Sequence, residues 1–128
     1  MGNKEKGANA ERELLRMLWQ NGFACARVAG SGSMPEPSCD LVAGKFNKKY
    51  AIECKTSKDK KRYIDSKQIS EFLVFSEIFG LEPVMALRFN RENWIFLHPS
   101  KLEKTEKGLA ISLEDAKKLG KSFDEFIK

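Results

Sequence analysis

The chain is short of the residues on which many enzymes rely. It has a single histidine, His98, so a histidine-based metal cluster or Ser-His catalysis lacks material within one chain. Its three cysteines, Cys25, Cys39 and Cys54, are odd in number. Their spacing fits neither a zinc site nor a disulfide framework. Cys25 and Cys54 fall in apolar, strand-like runs and read as small buried hydrophobes, which points to a reducing, cytoplasmic setting. No run approaches the ~18 apolar residues of a membrane span, and the polar stretch Met1 to Ala10 lacks the apolar centre of a signal peptide. The small, polar segment Ala29 to Ser38 does not match a Walker loop, because no Gly-Lys-Ser/Thr closes it and no helical pattern follows. Such a loop still lets backbone N–H groups and hydroxyls come close to a phosphate. Neither repeats nor low-complexity segments are present.

What is there is an ordinary globular composition: 128 residues, 41% hydrophobic and 32% charged. That length predicts one domain, residues 1–128, with a core that needs no staples. The net charge of +5 is a modest basic excess, compatible with a polyanionic partner. Residues 1–7, Lys-rich with two glycines, read as a flexible basic arm able to reach along phosphates.

Periodicity predicts a first helix from Ala8 or Asn9 to Asn21-Gly22, with Leu14, Leu15 and Leu18 as its apolar stripe. Glu11 and Glu13 then fall in its first turns and suit the helix dipole. Phe23 to Val28 reads as a strand. A second helix runs from about Asp65 to Phe79, stopped by Gly80. Ile69, Phe72, Leu73, Val74, Phe75, Ile78 and Phe79 make it apolar nearly all round, so it must be buried on most sides. One sheet cannot cover that much surface, which predicts a second copy packed on the other face across a two-fold axis. Pro83 to Phe89 and Trp94 to Leu97 read as strands, with His98 a structural residue at the edge. Lys101 to Gly108 reads as a charged connection. Ser112 caps a short helix ending at Gly120, and Ser122 with Glu125 forms a capping-box pattern before Phe126.

The chemistry concentrates around Tyr50-Ala51-Ile52-Glu53-Cys54-Lys55. Two-residue alternation sets Ala51, Glu53 and Lys55 on one face of a strand and sends Ile52 and Cys54 into a core. Asp40 precedes a second apolar run, Leu41-Val42-Ala43, and the polar link Gly44 to Lys49 folds the two runs into a hairpin. Asp40 and Glu53 then converge beside the ammonium of Lys55. Two acids can hold a hard divalent cation through oxygen, and a neighbouring cation can offset charge on a phosphate. A Glu and a Lys two apart on a strand are also an ordinary solvated face. Shortly after comes the densest basic cluster, Lys58, Lys60, Lys61 and Arg62, followed by Tyr63. Beside a metal site these would give sequence-independent phosphate contacts.

Taken in order, Lys6-Gly7-Ala8-Asn9-Ala10-Glu11-Arg12-Glu13, Gly22-Phe23 with Arg27, Ala29 to Ser33, Asp40 to Ala43, Ile52 to Lys55, and Tyr63 through Gln68, Phe75 and Phe79-Gly80 resemble the PD-(D/E)xK nuclease superfamily. Within it they most resemble the archaeal-type Holliday junction resolvases. The likeness covers about residues 4 to 97. Cys39 departs from the superfamily pattern, which has Pro before the Asp.

The resemblance implies an α/β, restriction-endonuclease-like fold, with a central mixed sheet of about five strands flanked by helices. It implies a homodimeric, Mg²⁺-dependent endonuclease, with Mn²⁺ able to substitute, that makes paired nicks in four-way junction DNA. The protein would be associated with the nucleoid and use neither a membrane nor a small-molecule substrate. Asp40 and Glu53 would bind the metal with the main-chain carbonyl of Cys54, and Glu11 would lie close, often through water. Lys55 would position or activate water, and Ser31 matches a loop serine needed for cleavage. Arg12, Arg27, Ser33 and Gln68, with the cluster Lys58, Lys60, Lys61 and Arg62, would meet DNA. Phe72, Phe75 and Phe79 would form the dimer face. Two other readings stay open on the residues alone: another nuclease of the superfamily that cuts duplex, and a non-catalytic nucleic-acid-binding module.

Overall fold

A computed structural model describes residues 3–30 and 33–128. Helix α1, Asn3–Gln20, opens the chain, followed by strands β1, Ala24–Arg27, β2, Leu41–Lys45, β3, Lys48–Ser57, and β4, Lys61–Ile64. Helix α2, Ser66–Phe79, leads into β5, Glu82–Phe89, and β6, Ile95–Leu97. A 3₁₀ turn, Pro99–Lys101, precedes β7, Glu103–Thr105, and β8, Gly108–Ser112; α3, Leu113–Leu119, β9, Lys121–Ser122, and α4, Phe123–Phe126, complete the chain.

Six strands form the main sheet in the order β1-β2-β3-β5-β6-β9, antiparallel except for the parallel pair β3 and β5. The expected mixed α/β sheet is therefore present. Its sixth strand, β9, is two residues long and pairs Ile95 with Ser122. β3 is central, and both of its faces are covered. Tyr50 and Ile52 pack with Leu14 and Leu18 of α1, Phe96 and Phe126. On the other face Ala51 joins Ile69 and Phe72 of α2, together with Met85 and Leu87.

Three sequence expectations need correction. Residues 3–7 are not a loose arm but the first turns of α1. Glu5, Lys6, Ala8 and Ala10 all favour helix, and they outweigh the ~1 kcal/mol penalty of Gly7. Glu11 consequently lies two turns inside the helix, beyond reach of the dipole term. The charged connection is not a plain loop, and Lys61 and Arg62 of the basic cluster lie on β4. β4 pairs with β8 and β8 with β7, forming a separate three-stranded sheet that joins Lys61 to Ser112 and Glu103 to Ala110. Phe72 does not belong to an outer face of α2: it is 1% exposed and packs in the second core.

The local signals for α2 behave as read. The Asp65 carboxylate accepts from Lys67 N–H at 2.8 Å, and Gly80 takes the left-handed conformation, φ 83°, that ends the helix. The capping box at Ser122 and Glu125 is formed. His98 accepts from Ser100 N–H at the 3₁₀ turn, a structural role. None of the described helices is long and apolar enough to cross a membrane.

Candidate active site

The site forms where β2 leaves β3. Their pairing ends at Leu41 with Ile52. Just before it, Asp40 N–H donates to Ile52 O at 3.1 Å, and Val28 N–H donates to Asp40 O at 2.9 Å. The Asp40 backbone thus bridges β1 and β3, and its carboxylate continues the ladder, with Cys54 N–H donating to Oδ2 at 2.9 Å. The N–H and C=O of one residue in a strand point to the same edge, so the Cys54 carbonyl leaves β3 on the side where Asp40 stands.

Glu53 is 4% exposed, an unusual burial for a carboxylate. Its pKa is pushed up to about 8, by burial first and by the negative charge of Asp40 next, with Lys55 pulling the other way. A hydrogen bond with the Asp40 side chain raises it further, and both carboxyl groups line the same groove. The expected convergence of Asp40 and Glu53 is realised. Lys55 Nζ lies 3.8 Å from Glu53 Oε2 and donates to Gln68 Oε1 at 2.7 Å. Helix α2 supplies Gln68 from across the second core, so its cap and its packing set where the lysine points.

Glu11 stands near enough to Asp40 for its pKa to rise, burial being the larger cause. Its carboxylate does not join the other two directly, because Arg27 Nε holds Oε1 at 2.8 Å. Arg27, expected on DNA, is thereby occupied within the protein. Arg12 is exposed on α1 and donates to Asn9 Oδ1 at 3.4 Å. Ser33 turns back on its own loop, its Oγ donating to Gly30 O at 3.0 Å. Ser31 lies outside the described residues.

Among the described residues, no group of three or more His, Cys, Asp or Glu side chains is disposed to close on one ion. The available donor set is instead two carboxylates and a main-chain carbonyl. A buried Glu53 whose ionisation is opposed by desolvation and by the neighbouring charge of Asp40 is an arrangement that a hard divalent cation relieves. The residues therefore fit a bound magnesium-type ion.

Two grooves abut at β3. One, about 510 Å³, runs between α1 and the β3–β4 hairpin and is lined by Lys6, Glu11, Cys54, Lys55, Lys58 and Tyr63, among others. The other, about 460 Å³, carries Asp40, Glu53, Gln68 and Glu71. Lys61 and Arg62 line the first groove as well; Lys60 does not. Lys6 and Glu71 were missed in the sequence as groove residues. Helical spacing identifies both: Lys6 and Ala10 are four apart on α1, and Glu71 follows Gln68 by three on α2.

On α2, Phe75 is half-buried, while Phe79 is 63% and Ile78 83% exposed. Leu73 and Val74 are exposed beside them. The expected apolar excess is real, but Phe75 and Phe79 carry it without Phe72.

The comparisons with known proteins place the chain in a family. The family model described as archaeal Holliday junction resolvase (Hjc) matches residues 2–127. The crossover junction endodeoxyribonuclease Hjc of Archaeoglobus fulgidus is 40% identical over 129 residues, which cover 95% of each chain. The protein of the same name from Methanocaldococcus jannaschii is 40% identical over 122 residues, 95% of this chain and 86% of that one. The solved structure of Archaeoglobus fulgidus Hjc, described as a Holliday junction resolvase from an archaeal hyperthermophile, superposes with a TM-score of 0.85 at 38% identity, covering 91% of this chain and 94% of that one. With a matching family model along nearly its whole length, a shared fold and an acid pair beside a lysine at the end of the β2–β3 ladder, the chain belongs to the archaeal Holliday junction resolvase family.

Proposed function

We propose that the protein is a structure-selective endonuclease that resolves four-way DNA junctions by Mg²⁺-dependent phosphodiester hydrolysis, with Mn²⁺ able to substitute. It acts as a homodimer that nicks two opposed strands. The observation that carries this reading is the buried Glu53 sharing one groove with Asp40, the Lys55 ammonium 3.8 Å from it, at the meeting of two grooves. A module that only bound DNA would have no need to bury Glu53 beside a second acid.

Asp40, Glu53 and the Cys54 carbonyl would hold the ion, and Glu11 would reach it through water. When bound, the ion supplies Lewis-acid polarisation of the phosphate and a more acidic water. Lys55, oriented by Gln68, offsets the negative charge that grows on the phosphoryl oxygens. Arg27 holds the Glu11 carboxylate at 2.8 Å and lowers the cost of its charge. Ser31, which matches the family's loop serine, would take part in cleavage. Lys6, Arg12, Ser33, Lys58, Lys60, Lys61 and Arg62 meet phosphates, a contact set blind to sequence. Phe75 and Phe79, with Leu73, Val74 and Ile78, form the two-fold face that brings two sites to one junction. A nucleoid-associated life follows from such a substrate.

The test offers purified protein synthetic four-way junctions, plain duplex and single strands, with and without Mg²⁺. Paired nicks near the crossover, only with the ion, are expected. Asp40→Ala, Glu53→Ala and Lys55→Ala should each lower cutting by at least ~10³-fold while junction affinity stays within about three-fold. Equal cutting of duplex and junction, or cutting unchanged in these variants, overturns the proposal.

A further inference from the structure

The lysines of the first groove explain attraction to DNA but not a preference for branched DNA, since every duplex offers phosphates. Another feature of that groove does bear on the preference. On β4, residues alternate: Ile64 is 4% exposed and anchors in the second core, while Tyr63, on the opposite face, is 63% exposed. An exposed aromatic is unremarkable alone. This one lines the groove that also holds Glu11, Cys54 and Lys55. Its backbone is fixed, because Tyr63 pairs with the buried Ala110 on β8, and Arg62 Nη1 donates to Tyr63 O at 2.8 Å. Lys61 Nζ sits 5.5 Å from the ring centroid and 3.3 Å from Glu103 Oε2, and even so the ring stays largely open to solvent.

We propose that Tyr63 is a stacking platform for a base left open at the branch point, and that this contact separates junction from duplex. The inference rests on the junction-cutting reading above. In continuous duplex each base is covered on both faces and shows only its edges. Where strands exchange between arms, a base beside the branch point loses a stacked neighbour and exposes one face. A rigid aromatic near the scissile position offers that face a replacement. Stacking of this kind accepts any base, which suits an enzyme that reads shape. Lys61, already over the ring, would stay close to the phosphate of the stacked nucleotide.

The experiment measures binding by anisotropy without divalent cation, so that nothing is cut, for wild-type protein, Tyr63→Phe and Tyr63→Leu. The probes are a synthetic four-way junction with 2-aminopurine next to the crossover and a duplex of the same length. Tyr63→Leu should lose between about 5-fold and about 100-fold in junction affinity, with duplex affinity unchanged within about two-fold. Its complex should be brighter in 2-aminopurine emission than that of the wild type. Tyr63→Phe, which keeps the ring, should match the wild type in both readouts. Junction binding by Tyr63→Leu equal to wild type overturns the proposal, as does an equal loss on junction and duplex, or failure of Tyr63→Phe to restore binding. A wild-type protein that binds both DNAs alike would refute the junction reading itself, and this inference with it. Loss of preference confined to Tyr63→Leu leaves the junction reading intact and supports the stacking role.

Discussion

At the scale of single residues, the decisive fact is that Glu53 is both buried and set beside a second acid. Its pKa of about 8 means that the folded, metal-free chain holds a proton that the unfolded chain has released above its ordinary value of 4.5. The sign follows directly: the native state binds more protons than the unfolded state in that window, so stability falls as pH rises from about 4.5 towards about 8. Glu53→Gln removes the penalty. In EDTA at pH ~8, calorimetry should find this variant more stable than the wild type by at least ~3 °C, with the gap closing near pH ~5. A gap independent of pH would mean that Glu53 is ionised at no cost. The convergence of Asp40 and Glu53 was legible in the sequence because a hairpin with a short polar turn leaves little freedom of register. The grip of Arg27 on Glu11 was not. Its partners are sixteen residues apart on different elements, and no local pattern encodes the pairing.

At the scale of elements, α2 has two jobs on two faces. Its inward side buries Ile69 and Phe72 and sends Gln68 to Lys55. Its outward side presents Phe79 and Ile78. These faces predict different outcomes for similar changes. Phe72→Ala opens a core cavity and should cost about 3–5 kcal/mol of stability, read from a urea melt. Phe79→Glu touches no core and should leave the fold intact within about 1 kcal/mol, while sedimentation should show monomers at concentrations where the proposed wild-type dimer forms. A dimer unaffected by Phe79→Glu would remove this face from the interface. The helix itself was legible because Asp65 and Gly80 mark its ends. Which of its phenylalanines face outward was not, since an all-round apolar pattern has no preferred side until the sheet is present. The small sheet of β4, β8 and β7 escaped notice for a related reason. Lys61-Arg62 and Glu103-Lys104-Thr105 carry little apolar alternation, and the pairing of β4 with β8 joins residues far apart in the chain.

At the scale of the whole molecule, the net charge of +5 is unevenly used. Lys6, Lys58, Lys61 and Arg62 line the groove beside Lys55, whereas the groove at Asp40 is acidic, with Glu36, Asp65 and Glu71 at its walls. The proposed dimer doubles the basic set and would face roughly 8 phosphates, so junction affinity should fall on the order of 10⁴-fold between about 50 and about 200 mM salt. Anisotropy titrations at several salt concentrations test this; a flat response would show that the lysines do not meet the DNA backbone.

The covered, central position of β3 has a mechanical consequence. Glu53 and Lys55 ride on a strand held between two cores, so the proposed cutting centre is a fixed anvil with little capacity to reshape itself. Accommodation must then come from the nucleic acid, whose arms have to splay and bend until a strand seats correctly. Four-way molecules with supple arms will be turned over quickly, and ones locked into a stacked shape slowly.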